Sequence, residues 1–155
     1  MPIYMKFEGV KGDATGDHDG WIELQSAQLA TGGNRPGGSG GGKLTVSEIV
    51  ITKRQDGASS GLFRKSLDGK GAKVTIEFVN RDGTAYMSID LEGALVTSYS
   101  ISGHGGERDE RPVESLTLNF SSITFTTKKV SPPADPKHAM EKVEWNDAVV
   151  QYSID

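Results

Sequence analysis

Alternation is the feature that most restricts this chain. In one segment after another, apolar and polar residues exchange at every second position, and glycine and aspartate cut the segments apart. Period two is the repeat of a half-buried strand, because successive side chains leave opposite faces. The first strand is predicted over 2–9, with Ile3, Met5 and Phe7 set against Tyr4, Lys6 and Glu8. Residues 9–20 carry Gly9, Gly12, Asp13, Gly16, Asp17, Asp19 and Gly20, which is turn chemistry. A second strand over 21–30 puts Trp21, Glu23 and Gln25 on one face and Ile22, Leu24 and Ser26 on the other. A third over 44–53 sets Leu44, Val46, Glu48 and Val50 against Thr45, Ser47, Ile49 and Ile51.

The later segments form long hairpins. Val74, Ile76 and Phe78 begin a fourth strand, and Asn80-Arg81-Asp82-Gly83 holds the Asp-Gly pair that favours a tight hairpin turn. The return strand over 85–102 is too long to run straight, and Glu92-Gly93-Ala94 is the expected bulge. Residues 103–112 form a turn. A strand over 113–129 pairs back, with Leu116, Leu118 and Phe120 on one face, and Ile123 and Phe125 on the same or a switched face. Prolines at 132, 133 and 136 interrupt the chain before a last strand over 142–154.

One segment, 59–68, is helical. Ser59 or Ser60 is the expected cap. Leu62, Phe63, Ser66 and Leu67 share a stripe, and Gly69 and Gly71 stop the helix. A helix this short needs tertiary packing, expected from Leu62, Phe63 and Leu67. No βαβ rhythm is present, so the expected class is mainly β. The expected architecture is a single domain over 1–155: an antiparallel β-barrel of two packed sheets, with one short helix and long extended loops. A closed or nearly closed barrel is expected because closure hides sheet edges.

The glycine-rich stretch 31–43 stands apart. It cannot bury enough apolar area to order itself, and loops this long in compact domains usually serve a function.

Known site chemistries find little support. The net charge of −4 gives no basis for nucleic-acid binding. The chain has no cysteine, which removes disulfides, thiolate nucleophiles and Cys-based zinc sites. His18, His104 and His138 lie in separate predicted loops without metal-ligand spacing, and the expectation is that they are solvated. Residues 15–26 lack the bidentate glutamate of an EF-hand. The glycine runs at 37–42 and 103–106 lack the Lys-Ser/Thr and helix of a P-loop. Carboxylate pairs such as Asp17/Asp19 and Glu141/Glu144 have nothing in sequence to converge them. No catalytic residue, metal or cofactor is therefore expected. Membrane insertion is not expected either, since no run approaches the roughly 20 apolar residues of a spanning helix. The first residues lack a signal-peptide pattern, so release without a cleavable signal is expected.

Several segments together resemble the haemolysin-coregulated protein (Hcp) family. They include the opening Ile3-Tyr4-Met5-Lys6-Phe7-Glu8-Gly9-Val10-Lys11-Gly12 and Trp21-Ile22-Glu23-Leu24. Next come the glycine-rich loop with Lys43-Leu44-Thr45-Val46 and Ile51-Thr52-Lys53, and the helix around Leu62-Phe63 followed by 69–76. Ile101-Ser102-Gly103, the run from Pro112 to Phe120, and Trp145-Asn146 complete the set. Their order along the chain makes the resemblance specific. It implies a tube subunit of type VI secretion, with homohexameric rings that stack inside a sheath behind a spike. It implies assembly in the bacterial cytoplasm and effector proteins carried in the central channel. It suggests Gln28 as channel-lining, and the loop residues Gly32, Gly33, Asn34, Arg35, Gly37, Gly38 and Gly40 as ring-stacking contacts. The alternative is a monomeric β-sandwich binding a ligand such as carbohydrate, although no aromatic platform is evident; a small hydrolase using acidic residues is a third reading.

Overall fold

The computed structural model describes residues 1–32, 45–106, 110–128, 140–146 and 150–154. Its strands are β1 (Ile3–Phe7), β2 (Ile22–Leu24), β3 (Ser26–Gln28), β4 (Thr31–Gly32), β5 (Thr45–Val46) and β6 (Ile49–Arg54). After the helix α1 (Ser59–Asp68) come β7 (Ala72–Val79), β8 (Ala85–Ser102), β9 (Val113–Asn119), β10 (Ser122–Lys128), β11 (Met140–Asn146) and β12 (Val150–Ile154).

β8 organises the architecture. Its first half pairs with β7 and β10, and its second half with β9. One arm of the sheet therefore runs β12-β11-β10-β8-β7-β1-β2, and the other runs from β8 through β9 and β6 to β3. Every one of these pairings is antiparallel. The strand changes arm at the expected glycine. Ala72 faces Ala94 while Val74 faces Leu91, so β8 carries one extra residue there, and Gly93 takes a left-handed φ of 61°. A Cβ on Gly93 would meet Ser121 Oγ at 2.6 Å.

The partner strand breaks at the same level. The single strand expected over 113–129 is in fact β9 and β10, one in each arm, interrupted at Phe120 and Ser121. Both the N–H and the hydroxyl of Ser121 donate to the Glu92 carbonyl at 2.9 Å. The break coincides with the bend of β8, and it explains why the apolar positions shift from 116, 118 and 120 to 123 and 125.

Full closure of the expected barrel is not seen: among the described residues the pairing makes no hydrogen-bonded ring. The expected strand 21–30 divides at Gln25: β2 pairs with β1, and β3 crosses over to β6. The Gln25 N–H donates to the Thr52 carbonyl at 2.8 Å. The two arms thus meet through the covalent chain rather than through a ladder. One apolar cluster spans both arms and includes Met5, Ile22, Ile51, Ile76, Leu91 and Leu116. Each such side chain contributes about 1.5–3 kcal/mol on burial.

Two more expected strands divide. The segment 44–53 contributes β5 and β6, and β5 pairs back with β4 across the base of the glycine-rich loop. The last strand is two, β11 and β12, paired antiparallel with Trp145 opposite Val150. The Asp-Gly hairpin forms as expected, with Gly83 at φ 91° and its N–H on the Asn80 carbonyl at 3.1 Å.

Helix α1 has the expected bounds and the expected left-handed Gly69 after its last turn. Its cap and its packing differ from expectation. Neither Ser59 nor Ser60 caps it; Ala58 holds that place without a side-chain bond, and Asp56 Oδ1 accepts from the Ala58 N–H at 2.9 Å instead. Of the stripe, Leu62 alone is buried, while Phe63 is 52% and Leu67 72% exposed. Gly71 is needed for a close approach, since its Cβ would stand 3.1 Å from the Gly93 Cα.

Candidate functional site

The most concentrated polar chemistry in the molecule lies beneath the N-terminus of α1. Alternation along β6 puts Ile49, Ile51 and Lys53 on the buried face, and along β9 it does the same for Glu114, Leu116 and Leu118. Lys53 and Glu114 are direct register partners. Both are fully buried, and Lys53 Nζ donates to Glu114 Oε2 at 2.5 Å. Nζ also donates to Asp56 Oδ1 at 2.8 Å and to the Arg54 carbonyl at 2.9 Å, with Ser59 Oγ at 3.3 Å. The Ser59 hydroxyl donates to Glu114 Oε2 at 2.9 Å, and the Tyr99 hydroxyl donates to Glu114 Oε1. Burial pushes the Tyr99 phenol above its ordinary range, reinforced by its bond to Glu114 and by the Glu114 and Asp56 charges. It therefore stays protonated and serves as a donor.

Such a cluster is closed. Among the described residues no buried side-chain polar atom lacks a partner, so every buried polar atom of the cluster is already held by the protein. Its effect is to tie β6, β8, β9 and the start of α1 together. Two buried opposite charges give little net stability, but removing one partner strands the other at a cost of about 3–5 kcal/mol.

A second polar contact fastens the 9–21 turn. His18 sits in a short 3-10 turn, Gly16–His18, and is nearly buried, contrary to the solvated expectation. Its ring stacks on Tyr4 at 4.3 Å and meets Trp21 edge-on at 4.9 Å, with Nε2 2.9 Å from Glu77 Oε2. His104 is exposed as expected, and His138 lies outside the described residues. Among the described residues no group of three His, Asp or Glu is placed to hold a metal. A surface hollow of about 290 Å³ is bounded by Asp13, Glu23, Arg54, Asp56 and Arg111, whose mixed charges select no obvious ligand.

The expected site residues are placed as follows. Gln28 ends β3 opposite Val50 and is exposed. Gly32 lies in β4 and pairs with Thr45. Gly33, Asn34, Arg35, Gly37, Gly38 and Gly40 lie outside the described residues. Sequence reading missed the Lys53–Glu114 pair, although the signal was present: continuing the alternation of Ile49 and Ile51 by one step places Lys53 inside.

The family model described as "Type VI secretion system effector, Hcp" matches residues 4–127, most of the chain. The chain belongs to the Hcp family, the tube proteins of type VI secretion. A curated relative, Protein hcp1 of Pseudomonas aeruginosa, is 35% identical over 85 residues, 52% of this chain and 51% of its own. That match spans about half the length of the curated relative. Among solved structures, "Structure of a type six secretion system protein" superposes with a TM-score of 0.78 at 26% identity, over 94% of each chain. Hcp1 from Salmonella typhimurium gives a TM-score of 0.78 at 20% identity, over 94% of this chain and 93% of that one, a likeness of fold. No helix among the described residues of this Hcp-family chain is long and apolar enough to cross a membrane.

Proposed function

We propose that this chain is a structural subunit without catalysis. Six copies close into a ring, rings stack into a tube, and the channel carries effector proteins. Sheath and spike proteins of the secretion system are its further partners. Assembly takes place in the bacterial cytoplasm, and release needs no cleavable signal peptide. The observation that carries the reading is the family match over residues 4–127. The closed, fully partnered polar cluster at Lys53 and Glu114 is consistent with it, since a tube subunit needs rigid surfaces more than a reactive group. In this reading Gln28, exposed on β3, lines the channel. The segment beginning at Gly32 and including Gly33, Asn34, Arg35, Gly37, Gly38 and Gly40 reaches the neighbouring ring.

The test is the solution mass by light scattering after size exclusion, with negative-stain images of the peak. Rings of six copies with an open centre are expected. A monomer at every concentration would overturn the ring and favour the binding-module alternative. Deleting 37–42 is expected to spare the rings and impair stacking; normal tubes from that variant would remove the loop's role.

A further inference from the structure

Two apolar surfaces of this chain are left partly uncovered, and they lie on different parts of β8. The first is a wing. β10 and β11 continue the sheet beyond the first half of β8, and register places Ile123, Phe125, Val143 and Trp145 on one face. Ile123, next to β8, is 5% exposed, whereas Phe125, Val143 and Trp145 are only partly buried. Phe125 and Trp145 pack against the margin of the core cluster, and Trp145 meets Phe120 edge-on. Glu141 precedes Val143 by two positions, so it shares this face, and it is exposed.

The second surface is the outer side of α1, which packs on β8. Phe63 and Leu67 stand one turn apart on one stripe. The Phe63 ring lies edge-on to Tyr99 at 5.7 Å. Ile101, two residues on and therefore on the same face of β8, is 51% exposed. Arg64 and Lys70 flank the surface and are exposed.

We propose that the wing of one copy, β10 and β11, packs against the α1 surface of the next copy, with Glu141 meeting Arg64. The inference rests on the ring reading and names the contact that would build it. Three observations select a second copy as the occupant. Both surfaces are apolar at their centres. Their margins carry charges that can pair, Glu141 on the wing and Arg64 and Lys70 beside the helix, with Asp68 an exposed acid at the helix end. They are two different patches on one chain, which is what a ring closed by rotation requires, whereas a two-fold dimer would use one patch twice.

The test uses the full chain, with light scattering and negative stain as readouts and circular dichroism as the check on folding. Leu67→Glu and Val143→Glu are each expected to convert rings to folded monomers. Arg64→Glu and Glu141→Arg, both at exposed positions that leave the core untouched, are each expected to raise the ring's dissociation concentration about tenfold or more, and the double reversal is expected to restore it. Rings of wild-type stability in Leu67→Glu and Val143→Glu would overturn the contact while leaving the ring reading intact. So would charge reversals that, singly and together, change nothing. A wild-type chain that is monomeric at every concentration would overturn the ring reading itself, and this contact with it.

Discussion

The two ends of α1 follow opposite rules. At its start, Ser59 joins a buried network in which Lys53, Asp56, Glu114 and Tyr99 are all partnered. At its end, Leu67 stands 72% exposed, five residues beyond a buried Leu62. A single ten-residue helix is thus fastened by a buried polar network at one end, while at the other its polar contacts are local and Leu67 is left uncovered. The contrast teaches that rigidity and stickiness have been separated. Groups that hold the helix in place are sealed from water, so its outer face can change partners without loosening its seat.

Breaking the fastened end should have the largest effect. Glu114→Ala leaves the Lys53 ammonium buried with one carboxylate in place of two, and is expected to destabilise by about 3–5 kcal/mol in urea unfolding. A loss below about 1 kcal/mol would show the cluster to be more hydrated than its full burial implies. Leu62→Ala removes the one buried anchor of the stripe and is expected to cost about 2–5 kcal/mol in the same measurement. Alkaline pH probes the network more gently. The folded Tyr99 phenol titrates above its unfolded value near 10, so its contribution is complete below that pH and is lost as pH rises beyond it. Tyr99→Phe is expected to flatten the alkaline fall of the urea midpoint; an unchanged fall would assign that loss to other groups. Leu67→Ala should be the mildest change, within about 0.5 kcal/mol of wild-type unfolding stability. A larger cost in the isolated chain would mean that the outer face is covered after all.

Legibility followed locality. The bounds of α1, the turn at Gly83 and the bend at Gly93 were readable because each is set by neighbouring residues: a glycine that accepts positive φ, an Asp-Gly pair, a glycine inside a strand too long to run straight. The division at Gln25 was not, because it depends on which distant strand the chain meets next; at Phe120–Ser121 the apolar parity shifts, but which arm each half joins is again set by distant strands. The stripe Leu62, Phe63, Leu67 showed which residues share a side of the helix, but it could not show whether anything lies against that side. Of the candidate site, Gln28 lies on β3, within the segment expected to be a strand. The burial of His18 was hidden because its partners, Tyr4 and Glu77, come from two other strands.

The Lys53–Glu114 pair also bears on how the chain is made. The two residues are separated by 61 positions, so β6 waits for β9 while the intervening hairpin is synthesised and folded. Pairings of this range are slow to form. During that interval one side of β6 is an open edge, ready to pair with another unfinished chain. An inward-pointing charge on such an edge discourages this, because a foreign strand would bury the ammonium with Asp56 as its partner but without the Glu114 carboxylate that completes its neutralisation. The lysine that adds little net stability to the finished core is thereby expected to guard the unfinished one until Glu114 arrives from the same chain.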